Sequence, residues 1–263
     1  MITSKENRYV RLAKSLLSAH VRKKTGLYII EGPKLLQEAL CAGHDIEFVL
    51  YSSDIAGSTI VADVINKKIS AFEVSPSIFK NISDMITPQG LIAVLRQENK
   101  NWRDLLKKKR FLTLALDGVQ DPGNAGTMIR TADALGFDAV IMGAGSVEVF
   151  NPKTLRAAMG STFHIPIYNN VHLPDMLNAL DTGVAVLATA PRGDISIEQA
   201  DISCRTIIVI GSEAHGISQQ VLNRASASIS IEMPGKAESL NASVAAGIIM
   251  YEVSRKWRLQ LAN

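Results

Sequence analysis

The sequence predicts an α/β protein of two domains, each a β-sheet with helices over its faces. Three observations carry this. Short apolar runs of strand length alternate with helical, amphipathic segments along nearly the whole chain. In the second half the strand runs are almost continuously apolar, the pattern of a mostly parallel sheet covered on both faces. Between the halves, residues 98–110 (ENKNWRDLLKKKR) turn polar and charged, as a linker does. The expected domains are therefore 1–97 and 111–263, with 98–110 between them.

In the first domain, ENRYVRLAKSLLSAH (6–20) reads as one helix. It has Val10, Ala13, Leu17 and Val21 on one side and Arg8, Arg11 and Arg22 on another. LYIIEG (27–32) is a strand ending at a glycine. GPKLLQEALCAG (32–43) is a helix, with Pro33 in its first turn and Gly43 just past its end. IEFVLYS, a helix around IVADVINKK, AFEVS and LIAVLRQ continue the alternation, giving a small α/β/α sandwich. WRDLLKK suggests a short helix inside the linker.

From residue 111 the order is strand FLTLALDGV, helix TMIRTADALG, strand AVIMG, helix NPKTLRAAMG, strand FHIPI and helix LPDMLNALDTG. Strands VAVLATA and TIIVIGSE, helix ISQQVLNRA, strand ASISIEM and a long C-terminal helix follow.

Composition narrows the class. Of 263 residues 47% are hydrophobic and 20% charged, which suits ordinary cores and excludes disorder. No apolar run reaches bilayer length and no signal-peptide pattern opens the chain, so a cytoplasmic protein with no membrane partner is expected. Cys41 and Cys204 lie far apart and read as buried free thiols. The five histidines show no ligand spacing, so no metal is expected. Net charge is +3, but residues 1–110 hold 18 basic against 11 acidic residues, and the remainder 10 against 14. Such asymmetry suits a phosphate-backbone partner and marks Arg8, Arg11, Arg22, Lys23 and Lys24 as candidate nucleic-acid contacts. A solvated helix face accounts for the charge equally well.

Three loops that follow strands could carry chemistry: DPGNAGTMIR (121–130), GSEAHG (211–216) and MPGKAESLNAS (233–243). In open α/β sheets ligands sit at such strand ends, and glycine lets backbone approach them closely. The dinucleotide fingerprint fails, because Gly143 and Gly145 are followed by Glu148 where a third glycine belongs. A nucleophile elbow fails too, because Glu213 stands where the serine would be.

In this order the three loops resemble the SpoU/TrmH group of the SPOUT RNA methyltransferases. The matching residues are Asn124, Gly126, Arg130, Ala132 and Gly136, then Gly211, Glu213 and Gly216. Ile231, Met233, Gly235, Ser239, Leu240, Asn241, Ser243, Val244, Ala245, Ile248, Tyr251 and Glu252 complete the match. Glu232 departs from the family's usual proline. GLYIIEGPKLLQEAL resembles the family's accessory domain, whose fold is like that of small RNA-binding ribosomal proteins.

The resemblance implies transfer of a methyl group from S-adenosylmethionine to a ribose 2′-hydroxyl of structured RNA. 23S ribosomal RNA is the first expectation and tRNA the second. It implies a C-terminal trefoil knot that forms the cofactor pocket, and a homodimer made through the catalytic domain. Gly211, Ile231, Met233, Ser239 and Leu240 would hold the cofactor, with Leu187, Ala188 and Thr189 closing the other side. Arg130, Asn124, Glu213 and Asn241 would be the catalytic set. A guanidinium stays charged and is a poor base, so Arg130 is assigned to holding the 2′-hydroxyl and the adjacent phosphate. Asn124 fits a ribose contact, a loop brace or a helix N-cap. Glu213 fits an orienting role or a local salt bridge, and Ser239 and Asn241 also fit plain caps. The alternatives are an RNA-binding protein that kept the fold without transfer and, less well, a nucleotide-dependent oxidoreductase. The retained Asn124, Arg130, Glu213 and Asn241 argue against the first and the missing glycine fingerprint against the second.

Overall fold

A computed structural model describes the backbone of residues 1–262 and the side chains through Gln260. The elements, in chain order, are α1 (Arg8–Ser15), α2 (Ala19–Thr25), β1 (Leu27–Glu31), α3 (Pro33–Cys41), β2 (Ile46–Ser52), α4 (Thr59–Asn66), β3 (Ala71–Val74), α5 (Pro76–Ile82) and β4 (Leu91–Arg96). They continue as α6 (Arg103–Leu106), β5 (Phe111–Asp117), α7 (Pro122–Ala134), β6 (Ala139–Gly143), α8 (Pro152–Ala158), β7 (Ile167–Val171) and α9 (Leu173–Asn178). The last are β8 (Ala185–Thr189), β9 (Ile195–Ser196), β10 (Arg205–Gly211), α10 (Gln219–Leu222), β11 (Ala227–Ser230) and α11 (Ala242–Ala262).

The chain forms two compact units, Met1–Glu98 with Phe150–Phe163, and Asn99–Val149 with His164–Asn263. The stretch around α8 thus clusters with the first unit, although the sequence pattern assigns it to the second domain. Apolar burial explains this: Leu155 and Phe163 belong to the same core cluster as Tyr28, Leu36 and Leu91.

The first unit has a four-stranded sheet in the order β1-β4-β2-β3, with only the β2–β3 pair parallel. Two details depart from the sequence reading. The expected single N-terminal helix is broken, and Arg22 closes the break. Its Nη1 donates to the carbonyls of Leu16 (2.8 Å) and Leu17 (2.9 Å), and the residue is 2% exposed. A guanidinium buried on orphan helix-end carbonyls satisfies groups that water would otherwise have to reach. Arg22 is therefore a structural residue, not a surface contact for RNA. The helix α5 was signalled by Ser75-Pro76, an N-cap followed by proline at the first helical position, and the apolar pattern alone missed it.

The second unit has seven strands in the order β7-β6-β5-β10-β8-β11-β9, and every pair is parallel. Parallel strands bury both faces, which accounts for their continuous apolar sequence. Phe111, Leu112, Thr113, Leu114, Ala115 and Leu116 of β5 are all fully buried. The cysteines differ from expectation: Cys41 and Cys204 are both exposed, because one ends α3 and the other precedes β10 in a loop. Among the described residues, no helix is long and apolar enough to cross a membrane and no group of three or more His, Cys, Asp or Glu could hold a metal ion.

Candidate active site

Asp117 ends β5, and α7 starts a few residues later. Asp121 is its N-cap, with Oδ1 accepting from the amide of Asn124 (2.7 Å), and Pro122 occupies the first turn. This frees the Asn124 side chain from capping its own helix. The loop after β10 is a tight reversal in which Ser212 and Gly216 exchange backbone hydrogen bonds of 3.0 and 2.9 Å. Gly211 lies against the returning strand so closely that a Cβ there would overlap the backbone of Gly216 and Ile217. Only glycine fits. Glu213 stands at the exposed tip of this reversal.

At the start of α11, Asn241 is the N-cap. Its Oδ1 accepts from the amides of Ser243 (2.9 Å) and Val244 (3.3 Å) and from the Ser243 hydroxyl (2.7 Å). Oδ1 is thus committed to the helix, and Nδ2 is left to donate. It donates to Asn124 Oδ1 at 3.2 Å, and Asn124 Nδ2 in turn donates to Glu213 Oε1 at 2.6 Å. Three segments separated by up to 117 residues meet in one polarised chain, from Asn241 to Asn124 to Glu213, and the first of them, expected as a loop, is the opening turn of α7. The amide orientations follow from the backbone donors that pin Asn241. The N-terminal ends of α7 and α11 converge here, so the carboxylate sits where two helix dipoles are positive.

Beside the chain lies a cavity of about 610 Å³, within the range of small-molecule sites. Its lining includes Thr189, Gly211, Ile231, Met233, Ser239 and Leu240, six of the eight residues expected to hold the cofactor. Leu187 and Ala188 do not line it. They are 2% and 0% exposed inside β8, which is flanked by β10 and β11, so only Thr189 at the strand's end emerges. The sequence reading did not assign to the cofactor Ala190 and Pro191, just beyond that strand, nor Ala245 (named only in the family match) and Ile249, one and two turns into α11. Helical spacing from Asn241 would have found the last two.

Glu213 and Asn241 line the cavity, whereas Asn124 reaches it only through them. Arg130 is not at the rim. It is six residues beyond Asn124 on the exposed face of α7, about 9 Å further along the axis, with no hydrogen-bond or ion-pair partner among the described residues. Ser239 lines the cavity and does not cap α11. In the first unit Arg8, Arg11, Lys23 and Lys24 are exposed.

With this geometry in place, comparison with known proteins defines the class. Residues 111–251 match the SpoU rRNA Methylase family, and residues 7–93 match an MRM3-like substrate binding domain. The chain belongs to the SpoU rRNA methylase family, and with it to the enzymes that move a methyl group from S-adenosylmethionine to an RNA ribose 2′-hydroxyl. It is 34% identical over 253 residues to the 23S rRNA (guanosine(2553)-2′-O)-methyltransferase RlmP of Bacillus subtilis, covering 96% of this chain and 98% of that one. Identity to rRNA methyltransferase 3A, mitochondrial, of Danio rerio is 28% over 300 residues, 95% of this chain and 69% of the other. Among solved structures, the AdoMet-bound rRNA methyltransferase of Sinorhizobium meliloti superposes with a TM-score of 0.85 at 31% identity, covering 97% of each chain. The SpoU methyltransferase AviRb of Streptomyces viridochromogenes, in complex with AdoMet, gives 0.88 at 25% identity, over 97% of this chain and 99% of that one.

The residues present suit the donor. Apolar Ile231, Leu240 and Ile249 offer a dry wall for a flat heterocycle, and the tight Gly211–Gly216 reversal brings main chain to the cavity. The Glu213 carboxylate gives a cationic ligand an acidic rim.

Proposed function

We propose that this enzyme methylates a ribose of 23S ribosomal RNA, with Asn124, Glu213, Asn241 and Arg130 as its catalytic set. The observation that carries the assignment of Asn124, Glu213 and Asn241 is the hydrogen-bonded chain that joins them beside the cavity, whereas Arg130 enters the set as an exposed cation, without a partner among the described residues, further along α7. The Bacillus subtilis relative is named for a 23S rRNA guanosine, and that name supports the substrate.

When bound, S-adenosylmethionine supplies an already activated methyl carbon. What remains for the protein is alignment of a weak nucleophile and stabilisation of developing negative charge. Asn124, itself held by Asn241, keeps Glu213 in one orientation, beside the N-terminal ends of α7 and α11. Arg130 holds the 2′-hydroxyl and its neighbouring phosphate rather than taking the proton, because a guanidinium is a poor base. Thr189, Gly211, Ile231, Met233, Ser239 and Leu240 form the donor's walls.

We read the cavity-lining segments as the loops of a trefoil knot. The strand order supports this, since β10 inserts between β5 and β8 before the chain crosses to β11 on the far side of β8. A homodimer through α11 is part of the same reading. Val244, Ile248, Tyr251 and Leu259 are 51%, 42%, 56% and 55% exposed and recur every three, four or eight residues, forming one apolar stripe. The enzyme works in the cytoplasm, where its RNA is.

Mass spectrometry of ribose methylation in 23S rRNA and tRNA, from cells with and without the protein, tests the substrate. Loss of one 23S methyl group is expected, and loss confined to tRNA would refute it. Arg130→Ala is expected to lower transfer at least 100-fold with donor affinity within about twofold, since a group that touches the transition state alone affects kcat.

A further inference from the structure

The charged segment ahead of β5 takes no part in the site just described. Residues 100–110 carry Lys100, Arg103, Lys107, Lys108, Lys109 and Arg110 against one acid, Asp104. Residues 1–99 hold 12 basic and 10 acidic residues. Five of the seven surplus positive charges in the first 110 residues therefore lie in eleven positions. Those positions cluster with the second unit, not the first.

The segment is folded onto that unit's core. Leu105 is 1% exposed and shares a cluster with Phe111 and Val209, while Trp102 and Leu106 pack against it. Arg205 Nη2 donates to the Leu106 carbonyl at 3.0 Å. Lys107 pairs with Asp104 (2.6 Å) and Lys108 with Asp138 (3.3 Å). Arg103, Lys109 and Arg110 are exposed and have no ion-pair partner among the described residues. The Arg103 guanidinium lies 4.3 Å from the centroid of the Trp102 ring, which leaves its other face and edges to solvent. Such a stacked guanidinium is pre-organised for a phosphate.

Its place in the sheet matters. The segment leads into the N-terminal end of β5, whereas the cavity and the segments around it lie at the C-terminal ends of β5, β8, β10 and β11. Seven strand residues separate the two ends, about 20 Å.

We propose that residues 100–110 form an RNA-docking surface on the catalytic unit itself, gripping phosphates of the substrate about 20 Å from the ribose that is methylated. It rests on the reading of RNA as substrate. Three unpaired cations on a rigid base lose little freedom on binding, and their distance from the cavity favours a large folded RNA over a short strand.

The test is the triple variant Arg103→Gln, Lys109→Gln, Arg110→Gln in the full chain, titrated by fluorescence anisotropy with a folded rRNA fragment across a range of salt concentrations. The slope of log affinity against log salt is expected to become shallower by about 2 to 3, near one for each phosphate that is no longer neutralised. Affinity near physiological salt should fall about tenfold or more, with S-adenosylmethionine affinity unchanged, which shows the fold intact. An unchanged slope would overturn the docking surface. So would a slope that falls only on neutralising Arg8, Arg11, Lys23 and Lys24, because that places the grip on the first unit. If the unaltered chain binds donor but no RNA at any salt, the RNA reading fails as well, which separates the two failures.

Discussion

Asn124→Ala removes the middle of the chain that joins the three loops. Two bonds go: the 2.6 Å bond to the Glu213 carboxylate and the 3.2 Å bond from Asn241. A hydrogen bond to a charged group contributes about 1.5–3 kcal/mol and a neutral one about 0.5–1.5. Glu213 is exposed, so solvent weakens the first, and the low half of its range applies. Loss of alignment worth about 2–3.7 kcal/mol in all slows transfer roughly 30- to 500-fold. The helix itself should survive, because Asp121 caps it through the backbone amide of residue 124, which alanine keeps. A melting temperature within a few degrees of the unaltered chain is therefore expected. Single-turnover methyl transfer, donor titration calorimetry and thermal unfolding together read these quantities. Transfer within twofold of the unaltered enzyme, in a folded variant, would refute a catalytic role for the chain.

Gly211→Ala forces a Cβ into the backbone of Gly216 and Ile217, so the reversal must open. Donor binding should be lost and stability should fall by several kcal/mol, read by calorimetry and denaturant unfolding. Ile248→Glu places a charge in the apolar stripe of α11 and should turn a dimer into monomer in sedimentation, whereas an unchanged mass would reject that interface. Glu31 is 8% exposed and accepts from Ser83 Oγ (2.7 and 2.8 Å) and the Gln89 amide (3.4 Å). Burial outweighs those bonds and raises its pKa. The folded carboxyl then holds its proton more tightly than the unfolded one, so stability is full below the ordinary glutamate range and falls as pH rises through the raised value. Glu31→Gln should flatten that decline in thermal melts followed against pH.

Most elements were legible because they are local. Period-3.6 patterns, Pro33 in a first turn and apolar strand runs need no partner to be read, whereas α7 begins at Pro122, ahead of the helix expected from Thr127. The three loops were legible by their residue types, since glycine at 211 and asparagine before a helix advertise backbone needs. Arg22 was misread because a helix break cannot be seen in a continuous amphipathic pattern. Once the chain turns at Leu16–Ser18, the same arginine points inward onto two carbonyls. Leu187 and Ala188 were misplaced by two residues, because how far a buried strand extends depends on what flanks it.

By itself, then, the order of side chains determined which segments become helix or strand, which turns demand glycine, and which residue types could serve a methyl donor. Only the tertiary structure decided that Asn241, Asn124 and Glu213 touch, that Arg130 stands apart from them, and that the basic run 100–110 belongs with the catalytic unit. The physical reason is range. Backbone preference and capping act over a few residues, whereas contact between positions 117 residues apart is set by the order in which parallel strands assemble.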